Sequence, residues 1–418
     1  MSGNGVEAET LTIERLGAQG DGIATLDGQP VYVPFTLPGE TVAVELDGER
    51  GDLLDVVTPS PDRIAPACRH YTDCGGCSLQ HLGPAAYTAF KQDLVRAAFA
   101  SRGLNPEISE PIIVPSGSRR RVTLAARRNG HRLLFGFHGR KSHRIVPIDE
   151  CPVARPAIVK ALPALEQLAA VAAPKKGDLA ISVLTTANGL DVCLTGLPPK
   201  DADKQRLPLI EAAMAAGIAR LSVGDEVIVE RVPPSLSFVG VSVVPPPGGF
   251  LQATAESEQA MTDLILAAVK GAKAVADLFC GAGTFTFPLA TKSAVHAVEG
   301  DKASMEALDK GARFAKGLKQ INRERRDLFR RPLTPKELAR FDAVVFDPPR
   351  AGANAQAAEL AASKVPTVVA VSCNPATLAR DVRLLVDGGY GIESVTPVDQ
   401  FLWSAHVEAV VVLRRASG

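Results

Sequence analysis

The chain has 418 residues, which at roughly 150 residues per domain suggests two or three domains. Hydrophobic residues make up 46% and charged residues 22%, so sizeable cores can be buried and wholesale disorder is excluded. Lys+Arg and Asp+Glu both total 46, a balance that excludes a uniformly basic polyanion binder but not a local basic face.

No run of about 18 apolar residues occurs, and the start, MSGNGVEAETL, has no basic or apolar leader. Neither a membrane span nor a signal peptide is expected. The seven cysteines, three of them inside ten positions, make a poor disulfide framework. They point to a reducing cytoplasm with metal-binding or catalytic thiols.

Residues 1–58 carry eleven acidic side chains against only Arg15 and Arg50. Short β-type runs (LTIERL, GIATL, PVYVPF, TVAVEL, LLDVV) alternate there with Gly, Asp and Pro turns, which predicts five strands closing a small OB-type β-barrel. PSPDRIAPA at 59–67 reads as a linker. Cys68, Cys74 and Cys77 follow at close spacing, and Cys151 stands apart in Asp-Glu-Cys-Pro-Val. Four thiols suit zinc or an iron–sulfur cluster, and spacing does not choose between them.

A helix is predicted over 84–103, with a proline near its start and Gly103 near its end. Residues 111–248 alternate β-rich pieces with an Ala/Leu-rich helix near 156–172, a mixed α+β segment ending at Pro245–Gly249. Within it, 118–144 holds nine Arg and Lys side chains, Arg119 to Arg144, and no acid. On alternating strands these can form one cationic face for phosphates.

From about 251 the rhythm becomes strand-helix-strand. AVADLF, AVHAVE, DAVVFD, TVVAVS and HVEAVVVL predict a buried parallel sheet covered on both faces. Asp277–Thr284 (DLFCGAGT) leads from a strand into a helix, and Gly281 and Gly283 permit a tight turn with close ligand approach. Glu299 closes the next strand, where a carboxylate can accept hydrogen bonds from two ribose hydroxyls; this spacing alone also fits NAD. A second basic stretch runs from Arg323 to Arg331. Asp347-Pro-Pro-Arg350 then ends an apolar strand and resembles motif IV of class I methyltransferases acting on planar nitrogenous or base substrates. S-adenosylmethionine is therefore the indicated cofactor. Cys373, in Val-Ser-Cys-Asn-Pro-Ala-Thr, ends a strand and precedes a helix. A helix N-terminus favours thiolate, which gives this cysteine a reactive role.

DLFCGAGTFTFPLA, VEGD, FDPPRAG, SCNPATLARD and HVEAVVVL together resemble, in the same order, the RNA 5-methyluridine methyltransferase family of the RumA/TrmA type. The resemblance runs through essentially the whole chain. It implies a class I, Rossmann-like α/β methyltransferase domain at 251–418, a central α+β domain at 59–250 and an N-terminal barrel at 1–58 similar to a TRAM domain. It implies Cys373 as nucleophile and Glu408 as base. Gln252, Phe279, Thr284 (where relatives commonly carry Asn), Glu299, Asp327 and Asp347 are implied as cofactor contacts. It also implies a [4Fe–4S] cluster on Cys68, Cys74, Cys77 and Cys151.

The implied activity is methylation of uridine C5 in RNA by a cytoplasmic, monomeric enzyme. The four cysteines favour the 23S rRNA branch. A tRNA uridine methyltransferase and a catalytically inactive iron–sulfur RNA-binding protein are the alternatives. Because the barrel is acidic, RNA contacts through Tyr32 and Phe35 and a mostly structural role both stay open.

Overall fold

Period-two burial builds the barrel, with Leu11, Ala24, Val31, Val33, Val42 and Val44 turned inward. The computed structural model describes residues 8–415, and Glu7 of the acidic run lies outside them. Six strands form this sheet: β1 (Glu9–Thr12), β2 (Arg15–Leu16), β3 (Gly22–Leu26), β4 (Gln29–Val33), β5 (Thr41–Asp47) and β6 (Arg50–Thr58), in the order β1-β5-β6-β4-β3-β2. The single first strand expected from LTIERL divides in two. Ile13 N–H bonds to Glu40 O and Glu14 N–H to Ile23 O, so the chain changes partner strand at that corner.

Helix α1 (Pro84–Ala100) opens with proline at N1, and β7 (Ile112–Ile113) follows. The central sheet contains β8 (Arg121–Asn129), β9 (Arg132–His138), β10 (Ile145–Pro147), β11 (Leu179–Thr186), β12 (Gly189–Thr195), β13 (Arg220–Val223) and β14 (Glu226–Glu230), ordered β10-β9-β8-β11-β12-β13-β14. Helices α2 (Pro156–Ala172) and α3 (Pro199–Ala215) join its core through Leu162, Leu165, Leu168 and Leu209. Helix α3 is absent from the sequence expectation. Its buried face is only Ala202, Leu209 and Ala213, too thin a stripe to stand out from its charged residues. A hairpin of β15 (Leu236–Phe238) and β16 (Val241–Val243) follows, and packs against Phe287 and Leu308 of the last segment.

The last segment contains α4 (Ala255–Ala268), β17 (Ala274–Leu278), α5 (Thr286–Ala290), β18 (Ala294–Glu299), α6 (Lys302–Phe314), β19 (Ile321–Arg325), α7 (Pro335–Leu338), β20 (Ala343–Phe346), α8 (Asn354–Ala361), β21 (Thr367–Ser372), α9 (Pro375–Asp387), β22 (Tyr390–Asp399) and β23 (Glu408–Arg415). Its sheet has the order β19-β18-β17-β20-β21-β23-β22-β7. Strands β17 to β21 are parallel, and β23 inserts antiparallel between β21 and β22. β20 and β21 are buried at every residue, as a strand covered on both faces requires.

The chain builds outward from β17 to β19, then returns to the other side of β17 for β20 and β21. A crevice opens at that reversal, outside the carboxyl ends of the strands. The boundary expected at residue 250 does not match the packing. Val95, Phe99, Leu104 and Ile108 lie in the core of this last sheet, and β7 pairs with β22. Residues 84–113 therefore pack with the segment that begins at 251. Among the described residues, no helix is long and apolar enough to cross a membrane.

Candidate active site

The turn after β17 is shaped for close approach. Phe279 has φ +60, and Gly281 and Gly283 have φ +54 and +102. A Cβ on Gly283 would lie 2.5 Å from the Phe287 ring, so only glycine fits there. At the end of β18, Glu299 accepts Gly281 N–H at 3.0 Å on one oxygen and Asp301 N–H at 2.7 Å on the other. It holds two βα turns together and keeps lone pairs free for hydroxyl donors. Phe279 and Phe329 approach with ring centroids 5.4 Å apart, forming an apolar wall beside it.

Across the crevice, the turn after β20 presents Asp347. Gln252 Nε2 donates to Asp347 Oδ2 at 2.8 Å. Gln400 Nε2 donates to Gln252 Oε1 at 2.8 Å and to Glu408 Oε2 at 2.6 Å. Burial pushes both carboxyls above their usual range. Asp347 raises Glu408 further, while the amide donors oppose the shift.

Cys373 lies between β21 and the cap of α9. Asn374 is that N-cap, its side chain accepting Ala376 N–H at 3.2 Å, a bond worth about 1 kcal/mol. Ser372 pairs with Ala409 across the strands, which brings Cys373 and Glu408 to the same edge. Asn374 Nδ2 and Thr377 Oγ1 both donate to the carbonyl of Arg350, tying this loop to the Asp-Pro-Pro-Arg turn.

The surroundings of Cys373 oppose the thiolate that the helix N-terminus favours. Burial, Glu408 and Asp347 push the Cys373 thiol up to about 11, with Arg350 opposing them. The cysteine precedes the cap instead of entering the first turn, and two carboxyls face it. Gln252, Phe279, Thr284, Glu299, Asp327, Asp347, Cys373 and Glu408 all line one cavity of 620 Å³. Asp327 stands exposed at its rim, with one oxygen accepting the N–H groups of Phe329 and Arg330.

The family model described as tRNA (Uracil-5-)-methyltransferase matches residues 244–416, and the TRAM domain model matches 6–48. An uncharacterized RNA methyltransferase of Rhizobium meliloti is 50% identical, covering 97% of this chain and 99% of the relative. The 23S rRNA (uracil(1939)-C(5))-methyltransferase RlmD of Halomonas elongata is 33% identical, covering 96% of this chain and 89% of the relative. The chain belongs to the uracil-C5 RNA methyltransferase family. A Pyrococcus abyssi tRNA (uracil-54, C5)-methyltransferase, solved with S-adenosyl-L-homocysteine, shares the fold. Its TM-score is 0.73 at 23% identity, covering 97% of this chain and 99% of that one.

In this member of the uracil-C5 RNA methyltransferase family, Cys68, Cys74, Cys77 and Cys151 line a second cavity of 400 Å³. Burial raises Cys68 and Cys74 and pushes Cys77 up to about 12. Among the described residues, no group of three or more His, Cys, Asp or Glu side chains could hold a single metal ion.

Several of the basic side chains at 118–144 are paired within the molecule. Arg120 pairs with Glu258, Arg127 with Asp178, Arg140 with Asp21 and Arg144 with Asp73, while Arg128 donates to two carbonyls near the end of α2. The second basic stretch is also paired in part, Arg323 with Asp309 and Arg326 with Glu324 and Glu337. Arg121 instead lines both cavities, beneath the exposed Phe250 at 5.3 Å.

The sequence reading missed Gln400 and Lys91. Gln400 directly follows β22, and its place just past a strand end is the signal it offers. Lys91 is fully buried, bonds to Asp399 at 2.8 Å and to His406 O, and gives no comparable sign on a helix.

Proposed function

We propose that this chain transfers a methyl group from S-adenosylmethionine to C5 of a uridine in RNA. The observation that carries this reading is the shared cavity, where the Cys373 thiol and the buried Glu408 carboxyl stand beside Asp347 and Gln252. Uracil C5 is too weak a nucleophile to take a methyl group directly. Cys373 as thiolate adds to C6, and the displaced π electrons give C5 enolate character. When bound, S-adenosylmethionine supplies the electrophilic methyl. Glu408 takes the C5 proton, the C5–C6 double bond re-forms, and Cys373 leaves with its electron pair.

We assign Glu299 to the donor's ribose hydroxyls, Phe279 and Thr284 to its cradle, and Asp327 to the adenine amine. Asp347 and Gln252 are assigned to the boundary between donor and pyrimidine. The uridine must leave its stack to reach Cys373, so the target is an unpaired or flipped nucleotide.

For the substrate we favour 23S rRNA, on the likeness to the Halomonas elongata relative and the four-cysteine cavity. Nucleoside mapping of 23S rRNA and tRNA from a deletion strain tests both levels. Loss of 5-methyluridine from 23S rRNA is expected. Loss from tRNA alone overturns the target, and no loss overturns the activity.

The four thiols are proposed to hold a [4Fe–4S] cluster with a structural role, because methyl transfer moves no net electrons. The choice of this cluster over zinc rests on the family resemblance, with Pro152 following the fourth thiol, Cys151. Arg119 and Arg121 line the same cavity and supply positive charge. Iron and sulfide in four-to-one ratio to protein after anaerobic purification are expected; colourless protein with stoichiometric zinc overturns the cluster.

A further inference from the structure

Gln400 belongs to no motif, yet it is 2% exposed and lines the active-site cavity just after β22. Its amide has one satisfactory orientation. The oxygen accepts Ala253 N–H at 2.7 Å, and a peptide N–H can only donate. Side-chain amides are often ambiguous to a flip, but a flip here would set N–H against N–H. Ser257 Oγ lies 3.3 Å from the same oxygen.

Nε2 must therefore point the other way. One of its hydrogens serves Glu408 Oε2 at 2.6 Å and the other Gln252 Oε1 at 2.8 Å. That second bond orients Gln252, whose Nε2 donates to Asp347 Oδ2 at 2.8 Å. A single peptide N–H thus sets two amides, and each buried carboxyl receives one N–H.

We propose that Gln400 is a positioning residue for uracil methylation, holding Glu408 in the unprotonated form that accepts the C5 proton and linking it through Gln252 to Asp347. The proposal rests on reading Glu408 as the base. The charges around Glu408 show why a donor is needed. Asp347 from the β20 turn and Cys373 after β21 are both acidic neighbours, and burial together with Asp347 drives the Glu408 carboxyl toward its protonated form. Arg350 bonds to His406 at 3.2 Å at the cavity rim. The pairs Arg120–Glu258 behind Gln252 and Lys91–Asp399 behind the loop are each internally neutralised.

Single-turnover reactions of Gln400→Met and Gln400→Glu over a pH series test this. The probe is rRNA and tRNA from a strain lacking the gene, with samples quenched onto denaturing gels to separate adduct formation from adduct release. Gln400→Met should form adduct at the wild-type rate and release it about 10²-fold more slowly at neutral pH. Release should recover as pH rises, because Glu408 then loses its proton without the donor. Gln400→Glu keeps the shape and the Ala253 contact but replaces the donor with oxygen. It should shift the release profile upward as well, and it decides the matter if the methionine variant folds poorly.

Wild-type release with a wild-type pH profile in a folded variant overturns the assignment. Equal slowing at every pH, the mark of a merely structural loss, also overturns it. Glu408→Gln separates the two levels. If that variant accumulates no adduct, the base reading itself fails. If it does accumulate adduct while the Gln400 variants release normally, only the role of Gln400 fails.

Discussion

The two cavities solve the same electrostatic problem in opposite ways. Each gathers acidic groups away from water, where ionisation is costly. In the 620 Å³ cavity, the Gln252–Gln400 chain supplies N–H donors to Asp347 and Glu408, so two carboxyls can share one site. In the 400 Å³ cavity, four thiols face one another, and burial raises those of Cys68, Cys74 and Cys77. Substitutions in the first should therefore change chemistry with the fold intact. In the second, where burial favours neutral thiols, substitutions should act first on local structure.

The sharpest break of this contrast is Cys373→Ala. Methyl transfer and the covalent RNA adduct should both disappear, while thermal unfolding stays close to wild type because the thiol is half-buried, in no disulfide, and faces the cavity. Detectable turnover by this variant would end the covalent scheme. Next in size is the pH dependence of adduct formation. The thiol is pushed up to about 11, and the thiolate is the nucleophile, so the reactive fraction grows with pH below that value. In stopped reactions the formation rate should climb about tenfold per unit between about pH 6.5 and 8.5. A flat profile would mean that bound donor and RNA have already ionised the sulfur.

Of the two residues proposed for that chemistry, Cys373 stood out by its place between a strand and a helix in SCNPAT, whereas Glu408 in HVE was reached only through the family resemblance. The supporting residues were not legible, since their meaning comes from partners far along the chain. Arg127, Arg144 and Arg140 looked like a phosphate face, yet they pair with carboxylates 51, 71 and 119 positions away. Gln400 needed the N–H of Ala253, 147 positions away, before its amide acquired a direction. Likewise, α1 reads as an ordinary helix until β7 and α9 reveal which sheet it covers.

Lys91 tests how firmly the first cavity is held from outside. Its ammonium is fully buried against Asp399, which also accepts Tyr87 Oη at 2.5 Å and Phe401 N–H at 3.1 Å. Lys91→Met leaves a carboxylate uncompensated in the core, at a cost of about 3–5 kcal/mol. The loop from Asp399 to Glu408 should loosen. Because Ser78 and Leu79 N–H groups donate to Trp403 O, faster hydrogen exchange at those two amides would show the disturbance reaching the cysteine segment. Unchanged exchange there would mean that the two cavities are mechanically separate.

The smallest effect belongs to the barrel. Its excess acid is partly spent inside the molecule. Asp21 pairs with Arg140 and lies 3.6 Å from Lys141, and the Arg140 guanidinium sits 5.4 Å from the Phe35 ring centroid. Asp21→Asn removes the charge of a buried side chain but leaves an oxygen that can still accept from Arg140, so the loss should be about 1–3 kcal/mol. The barrel should stay folded, since Asp21 is outside its apolar core, but dock less firmly. Faster limited proteolysis within residues 59–67, with unchanged methyl transfer to a short RNA, is the expected result. Increased RNA affinity without faster cleavage would instead mean that Asp21 chiefly repels the substrate. The acidic composition would then be a means of selecting RNA and not of joining two parts of the chain.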